Sequence, residues 1–181
     1  PLRQLDWHRE EAGRDTTSGG EEKTRVWNER PKRDMDGGDK LLKNLNGKFI
    51  DVSEESGIYG SVIGFGLGVT VGDVNSDGWE DIYVSNDFFE RDYLYVNNQD
   101  GTFSEILTDA ISSLSAASMG ADMADINNDG AADIFVTEML PSEYERLKSV
   151  TTFENWDKYS YNVENGYYHQ FTRNTLQLNN G

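Results

Sequence analysis

The chain has 181 residues, of which 36% are hydrophobic and none is cysteine, and its 16 Lys and Arg face 33 Asp and Glu for a formal net charge of −17. That length suits one compact domain rather than two. The charge repels phosphate backbones and anionic headgroups, which argues against nucleic-acid and membrane-surface binding and leaves cations as natural partners. Without cysteine there is neither a disulfide framework nor a thiolate metal centre. The compartment stays open on that ground, and no apolar run approaches the ~20 residues of a membrane span.

The acidity is uneven: residues 1–40 carry a net charge of −1 and residues 41–181 carry −16. Glycine is frequent at 18, proline scarce at 3, and aromatics reach 12%. That mixture belongs to short strands joined by tight turns. The chain opens at Pro1 without an initiator methionine, so a processed chain or a piece of a longer one is expected.

Residues 1–38 are polar, and their apolar members Leu2, Leu5, Trp7, Val26, Trp27 and Met35 keep no period. They read as a flexible lead-in with a short helical stretch near residues 5–12, the alternative being an irregular strand paired to the body. From Asp39 the sequence repeats itself. Leu41-Leu-Lys-Asn44 followed by Gly47-Lys-Phe-Ile-Asp51 returns as Tyr93-Leu-Tyr-Val-Asn97 with Gly101-Thr-Phe-Ser-Glu105, and begins again at Leu176-Gln-Leu-Asn179. A second phrase, residues 71–85, matches residues 123–137, and Asp73 lies 52 residues before Asp125.

Within one unit, Leu67, Val69 and Val71 alternate as a half-buried strand does, and residues 73–81 form a loop. Residues 82–85 and 93–96 are further strands. Residues 98–101 supply hairpin-turn chemistry, and residues 102–105 are the fourth strand. Four short antiparallel strands in a unit of about 50 residues mark a propeller blade. The expected fold is therefore all-β, a partial β-propeller of four-stranded blades. Residues 39–60 end one blade, 61–106 form a complete one, and 107–181 form another with an insertion at 141–170. Seven such units need about 350 residues, so this length cannot close a ring. The insertion holds Tyr144, Phe153, Trp156, Tyr159, Tyr161, Tyr167 and Tyr168. These aromatics are expected chiefly to pack the loop onto its own blade, with recognition of a sugar or protein as the alternative.

The chemistry sits in Asp73-x-Asn75-x-Asp77-Gly78-x-x-Asp81 and its copy Asp125-x-Asn127-x-Asp129-Gly130-x-x-Asp133. Oxygen side chains at positions 1, 3 and 5 of a tight loop converge, glycine at 6 makes the bend, and Trp79 or Ala131 at 7 offers a backbone carbonyl. Position 9 returns a carboxylate. Several hard oxygens round one centre suit Ca²⁺, and two such sites are expected. Position 12 is Val84 or Val136 within a strand, not the bidentate Glu of an EF-hand, which is rejected. Asx-rich loops can also be plain turns capping their own backbone. Against that, two carboxylates about 4 Å apart repel by about 4 kcal/mol at an effective dielectric near 20, and each loop gathers three.

Phe65-Gly66 followed by residues 72–84 resembles an FG-GAP repeat of the integrin-α propeller type, also called a VCBS repeat. Residues 81–87 with 92–95, and later 173–180, resemble bacterial proteins related to cartilage acidic protein. The resemblance covers residues 39–181. It implies a seven- or eight-bladed propeller with calcium in its blade loops, secreted or surface-exposed, serving adhesion or ligand binding. Ser85-Asn86-Asp87 replaces the family's Gly-Ala-Pro ending, so integrin-like partners are not implied.

Enzyme machinery is not legible. His8 and His169 lack a nucleophile partner, and Gly64-x-Gly66-x-Gly68 fails the dinucleotide fingerprint because position 69 is Val and a strand follows. Those glycines read instead as sites of close packing at the inner strand. Asp87, Asp122 and Glu138 read as solvated acids. The expectation is a non-enzymatic, calcium-binding repeat module of an extracellular, cell-surface or periplasmic binding protein. Its partners would be a protein or glycan ligand and the remaining blades of a longer parent chain. A carbohydrate-binding or carbohydrate-active propeller using the aromatic insertion, and a purely structural fragment, are the alternatives.

Overall fold

The structure, a computed structural model, describes residues 38–150 and 156–181. The lead-in reading of residues 1–38 therefore lies almost wholly outside the described residues, as does Phe153. The first element is a hairpin of β1 (Leu42–Leu45) and β2 (Lys48–Asp51). Next come β3 (Phe65–Gly72), β4 (Asp81–Asp87), β5 (Tyr93–Asn97) and β6 (Phe103–Glu105), joined in sequence order as one four-stranded antiparallel sheet. A one-turn helix α1 (Leu107–Ala110) and the short β7 (Leu114–Ser115) lead to the second copy. There β8 (Gly120–Ala124), β9 (Asp133–Thr137) and β11 (Thr175–Gln177) form a three-stranded antiparallel sheet with β9 in the middle.

The chain is mostly β and antiparallel, as expected, but the insertion, expected as a loop, is partly helical. Its described residues form two helices, α2 (Tyr144–Val150) and α3 (Trp156–Glu164), followed by β10 (Gln170–Phe171), which pairs in parallel with β7. Both helices lack glycine and proline; α2 draws on Glu, Arg, Leu and Lys, which favour helix, whereas α3 has only Lys158 and Glu164 of that kind. The chain leaves α3 through Gly166 at φ 80, with Tyr167 N–H donating to Asn162 O and Gly166 N–H to Val163 O. This paired closure satisfies the last carbonyls of a helix. Among the described residues, no helix is long and apolar enough to cross a membrane.

Strand alternation gives the four-stranded sheet two apolar faces. On one, Tyr83 and Leu94 pair across β4 and β5 and pack against Leu107, Ile111, Leu114, Ile134 and Val136 of the following repeat. On the other, Val84, Tyr93 and Tyr95 pack with Ile58, and Leu41 and Tyr59 lie against them. The inner strands β3 and β8 touch directly. A Cβ on Gly68 would stand 3.2 Å from Gly120 Cα, and one on Gly72 would stand 2.9 Å from Met123 Sδ. Thr70 Oγ1 donates to Ala121 O at 2.6 Å across the same seam. Close packing is thus the use this strand makes of its glycines.

The repeats provide an internal control. Leu94 is 3% exposed and its equivalent Leu176 is 46% exposed, so Leu94→Ala is expected to destabilise by about 2–5 kcal/mol and Leu176→Ala by well under half of that. Urea unfolding of both variants checks it, and equal losses would refute the packing described.

Candidate metal centre

The two acidic loops join β3 to β4 and β8 to β9. Each is shaped by two left-handed residues, Ser76 (φ 60) with Gly78 (φ 86) and Asn128 (φ 61) with Gly130 (φ 92). Glycine takes that conformation without penalty, and Asn tolerates it better than most residues. The turn brings three side chains together at positions 1, 3 and 5. Asp73 Oδ1 and Asn75 Oδ1 both accept the Asp77 N–H at 3.1 Å, and Asp73 Oδ2 accepts the Gly78 N–H at 2.8 Å. Asp77 Oδ1 accepts the Trp79 N–H at 2.9 Å, and Asn75 Nδ2 donates to Asp77 Oδ2 at 3.0 Å.

The second loop repeats this bond for bond. Asp125 Oδ1 and Asn127 Oδ1 accept the Asp129 N–H at 3.0 and 3.1 Å, and Asp125 Oδ2 accepts the Gly130 N–H at 2.9 Å. Asp129 Oδ1 accepts the Ala131 N–H at 2.9 Å, and Asn127 Nδ2 donates to Asp129 Oδ2 at 2.8 Å. In the first loop the Trp79 N–H, with the Gln99 and Asn75 amides, holds the Asp77 carboxyl below the usual carboxylate range. Trp79 and Ala131 differ otherwise: the indole is exposed and the methyl is buried, so what position 7 has in common is backbone.

Position 9 is placed apart from the exposed trio. Asp81 is fully buried; its Oδ2 accepts the Val74 N–H at 2.9 Å and its Oδ1 the Asn97 N–H at 2.8 Å. Asp133 is equally buried and accepts the Ile126 N–H at 3.0 Å and the Asn179 N–H at 2.8 Å. Each of these aspartates ties the start of its loop to the end of the third strand of its sheet. The partner asparagines close the clamp from the other side. Asn97 Nδ2 donates to Glu80 O at 3.1 Å and Asn179 Nδ2 to Ala132 O at 3.2 Å. Asn179 Nδ2 also reaches Val74 O of the first loop at 2.6 Å. Asn97 and Asn179 are equivalent points of the repeated phrase, and that recurrence is the one signal of their role in the sequence.

Among the described residues, no group of three or more Asp, Glu, His or Cys side chains is gathered so as to hold a metal ion. The reason is local: position 3 is an asparagine, and the position 9 carboxylate has both oxygens on backbone N–H groups. The donor set nevertheless has the chemistry of a hard cation site. Each carboxylate or amide oxygen has two lone pairs, so Asp73, Asn75 and Asp77 keep acceptor capacity beyond the bonds they make.

The other candidates disperse. Asp87, Asp122 and Glu138 each accept a backbone N–H one or two residues on. His169 Nδ1 meets Tyr159 OH at 2.7 Å, and the Tyr159 ring stacks on Phe171 with centroids 5.6 Å apart. Tyr168 OH donates to Thr108 O, and its ring packs against the core between the repeats. Tyr159 and Tyr168 thus fasten the insertion to its own repeat, while Tyr144 and Trp156 stand exposed. His8 lies outside the described residues.

Residues 73–136 match the model of the FG-GAP-like repeat family. The matched stretch begins at the first aspartate of the first loop and ends in β9, so it holds both loops complete. No curated protein matches the chain.

The clamp and the exposed trio separate by mutation. Removing the buried acceptor in Asp81→Ala strands two backbone donors and is expected to cost about 3 kcal/mol or more. Asp77→Ala, measured in chelator, is expected to cost less than about 1 kcal/mol. Chemical denaturation of the two variants decides; an Asp77 effect as large as that of Asp81 would contradict the division.

Proposed function

We propose that residues 73–81 and 125–133 each bind one Ca²⁺, and that the chain is a calcium-stabilised repeat unit of a β-propeller-type binding protein without catalytic activity. What supports this reading is the bond-for-bond recurrence of the loop, 52 residues apart, with the oxygens of positions 1 and 3 converging on the N–H of position 5, whose own carboxylate accepts the position 3 amide. Asp73, Asn75, Asp77 and the Trp79 carbonyl would hold the first ion, and Asp125, Asn127, Asp129 and the Ala131 carbonyl the second; Asp81 and Asp133, expected from the sequence as a further ligand of each, are engaged on backbone N–H groups and serve instead to fix the loop ends. When bound, the ion neutralises the converging carboxylates. The protein's own part is to present the donors, through the left-handed pair at positions 4 and 6 and the strand ends fixed by position 9.

Affinity in the 10⁻⁴–10⁻³ M range of extracellular modules suits an exterior location, where calcium is plentiful. An extracellular, cell-surface or periplasmic setting is therefore part of the proposal, as is kinship with the bacterial proteins related to cartilage acidic protein. A ligand bound only by the folded form stabilises it by RT ln(1 + L/Kd), where L is the free ligand concentration. Calcium is thus expected to raise the melting temperature and EDTA to reverse the rise, with two ions counted by calorimetric titration. Asp77→Ala combined with Asp129→Ala should abolish both effects. A melt indifferent to calcium and chelator, with no heat of binding, would sink the reading.

One observation favours a glycan as the ligand. Trp156 is exposed and leans on Tyr159 with centroids 5.6 Å apart, and Tyr159 is itself fixed by His169 and Phe171. A rigid, exposed aromatic of this kind suits the apolar face of a sugar ring. On a glycan array, Trp156→Ala is expected to lose the hits that the parent shows while keeping its melting temperature; an array blank for the parent removes this second reading.

A further inference from the structure

The two acidic loops are connected by an unbroken run of hydrogen bonds, and the run passes through one side chain. Asn179 lies just beyond β11, the third strand of the second sheet. A side-chain amide carries two hydrogens, and those of Asn179 Nδ2 go to different repeats. One is donated to Val74 O of the first loop at 2.6 Å and the other to Ala132 O of the second at 3.2 Å. The Asn179 backbone N–H is donated to Asp133 Oδ1 at 2.8 Å. At the far end the Val74 N–H is donated to Asp81 Oδ2 at 2.9 Å. The run therefore reads Asp81, Val74, Asn179, Asp133, from the buried carboxylate of one loop to that of the other.

Val74 is suited to relay between them. It is position 2 of the first loop, flanked in the chain by Asp73 and Asn75 of the exposed trio. Its N–H is held by Asp81, its carbonyl by Asn179, and its side chain packs against the seam core of Tyr83, Leu94, Ile134 and Val136. Its equivalent in the second loop, Ile126, likewise has its N–H on a buried aspartate, Asp133, at 3.0 Å, while its side chain is half exposed. Asn179 in turn is bonded to positions 8 and 9 of the second loop, where the chain enters β9.

We propose, on the reading that each loop binds one Ca²⁺, that Asn179 is the positioning residue through which the two sites act on each other, so that filling either loop raises the affinity of the other. In an unfilled loop the carboxylates of positions 1 and 5 repel, and the repulsion works to open the turn. A filled first loop holds the backbone between Asp73 and Asn75 still, and with it the Val74 carbonyl. Asn179 Nδ2 then has a fixed acceptor, and its second hydrogen and its backbone N–H steady Ala132 and Asp133 at the end of the second loop. That loop has less freedom left to lose on binding, which gives positive cooperativity without a change of shape. The effect runs equally in the other direction, because coupling between two binding equilibria is reciprocal.

Asn179 bonds to positions 2, 8 and 9 of the loops, so its part is to transmit order rather than to ligate. A contact that only supported the fold would weaken both sites alike on removal and leave their independence or interdependence as it was.

The test is calorimetric titration with calcium, followed by amide hydrogen exchange in a chain with one site disabled. The parent isotherm is expected to show a Hill coefficient above one, and Asn179→Ala to bring it down to one. In Asp129→Ala, whose second loop lacks its position 5 carboxylate, calcium in the first loop should slow exchange of the Ile126 N–H, which lies on Asp133, by about fivefold or more. With Asn179→Ala added, that distant slowing should vanish. A parent Hill coefficient of one or less, or an Ile126 N–H indifferent to calcium in Asp129→Ala, overturns the coupling while leaving two independent calcium sites standing. An absence of any binding heat overturns the calcium reading itself and the coupling with it. The parent isotherm and the Asp129→Ala exchange decide the matter even if Asn179→Ala fails to fold.

Discussion

Asp81 and Asp133 are buried carboxylates whose two oxygens each receive a backbone N–H, one from the start of the acidic loop and one from the end of the third strand. A charge taken out of water is tolerated when its acceptor capacity is met in this way, and it then resists rearrangement because any movement strands donors as well as the acceptor. The loop geometry, the first residue of the second strand and the termination of the third all follow from that one group. The exposed trio at positions 1, 3 and 5 is presented by a turn whose ends cannot drift.

Between repeats the constraint changes character. Tyr83 and Leu94 fill the seam with apolar volume, and Gly68 and Gly72 let the inner strands approach within direct contact. Apolar burial is non-directional, so it does not by itself fix how one sheet is registered on the next. Directional bonds do that: Thr70 donates to Ala121, Asn179 to Val74, and Ser118 to the buried Asp92. The seam is thus held by apolar area and registered by hydrogen bonds.

Much of this was legible without coordinates. The alternation of Leu67, Val69 and Val71, the strand residues 82–85 and 93–96, and the turn at residues 98–101 are local patterns, and the four-stranded sheet has them in that order. The loop motif was legible for the same reason, since positions 1, 3, 5 and 6 act on backbone groups a few residues away. The helices of the insertion were not, because residues 144–150 make only about two turns and residues 156–164 carry Trp156, Tyr159 and Tyr161, aromatics that serve helix and loop alike. Nor was the inward turn of Asp81, which looks in the sequence like one more acid of the loop; its second partner, Asn97, is 16 residues away.

The sequence by itself determined the period of the repeat, the strand order within a unit, the acidic loops and their left-handed glycines, because each depends on contacts between near neighbours in the chain. Only the tertiary structure decided which acids are exposed and which are clamped, that Leu94 is sealed while Leu176 is open, and that Asp92 joins two units. Burial and pairing across long separations depend on what the rest of the chain brings alongside, and identical residues in successive repeats then meet different neighbours.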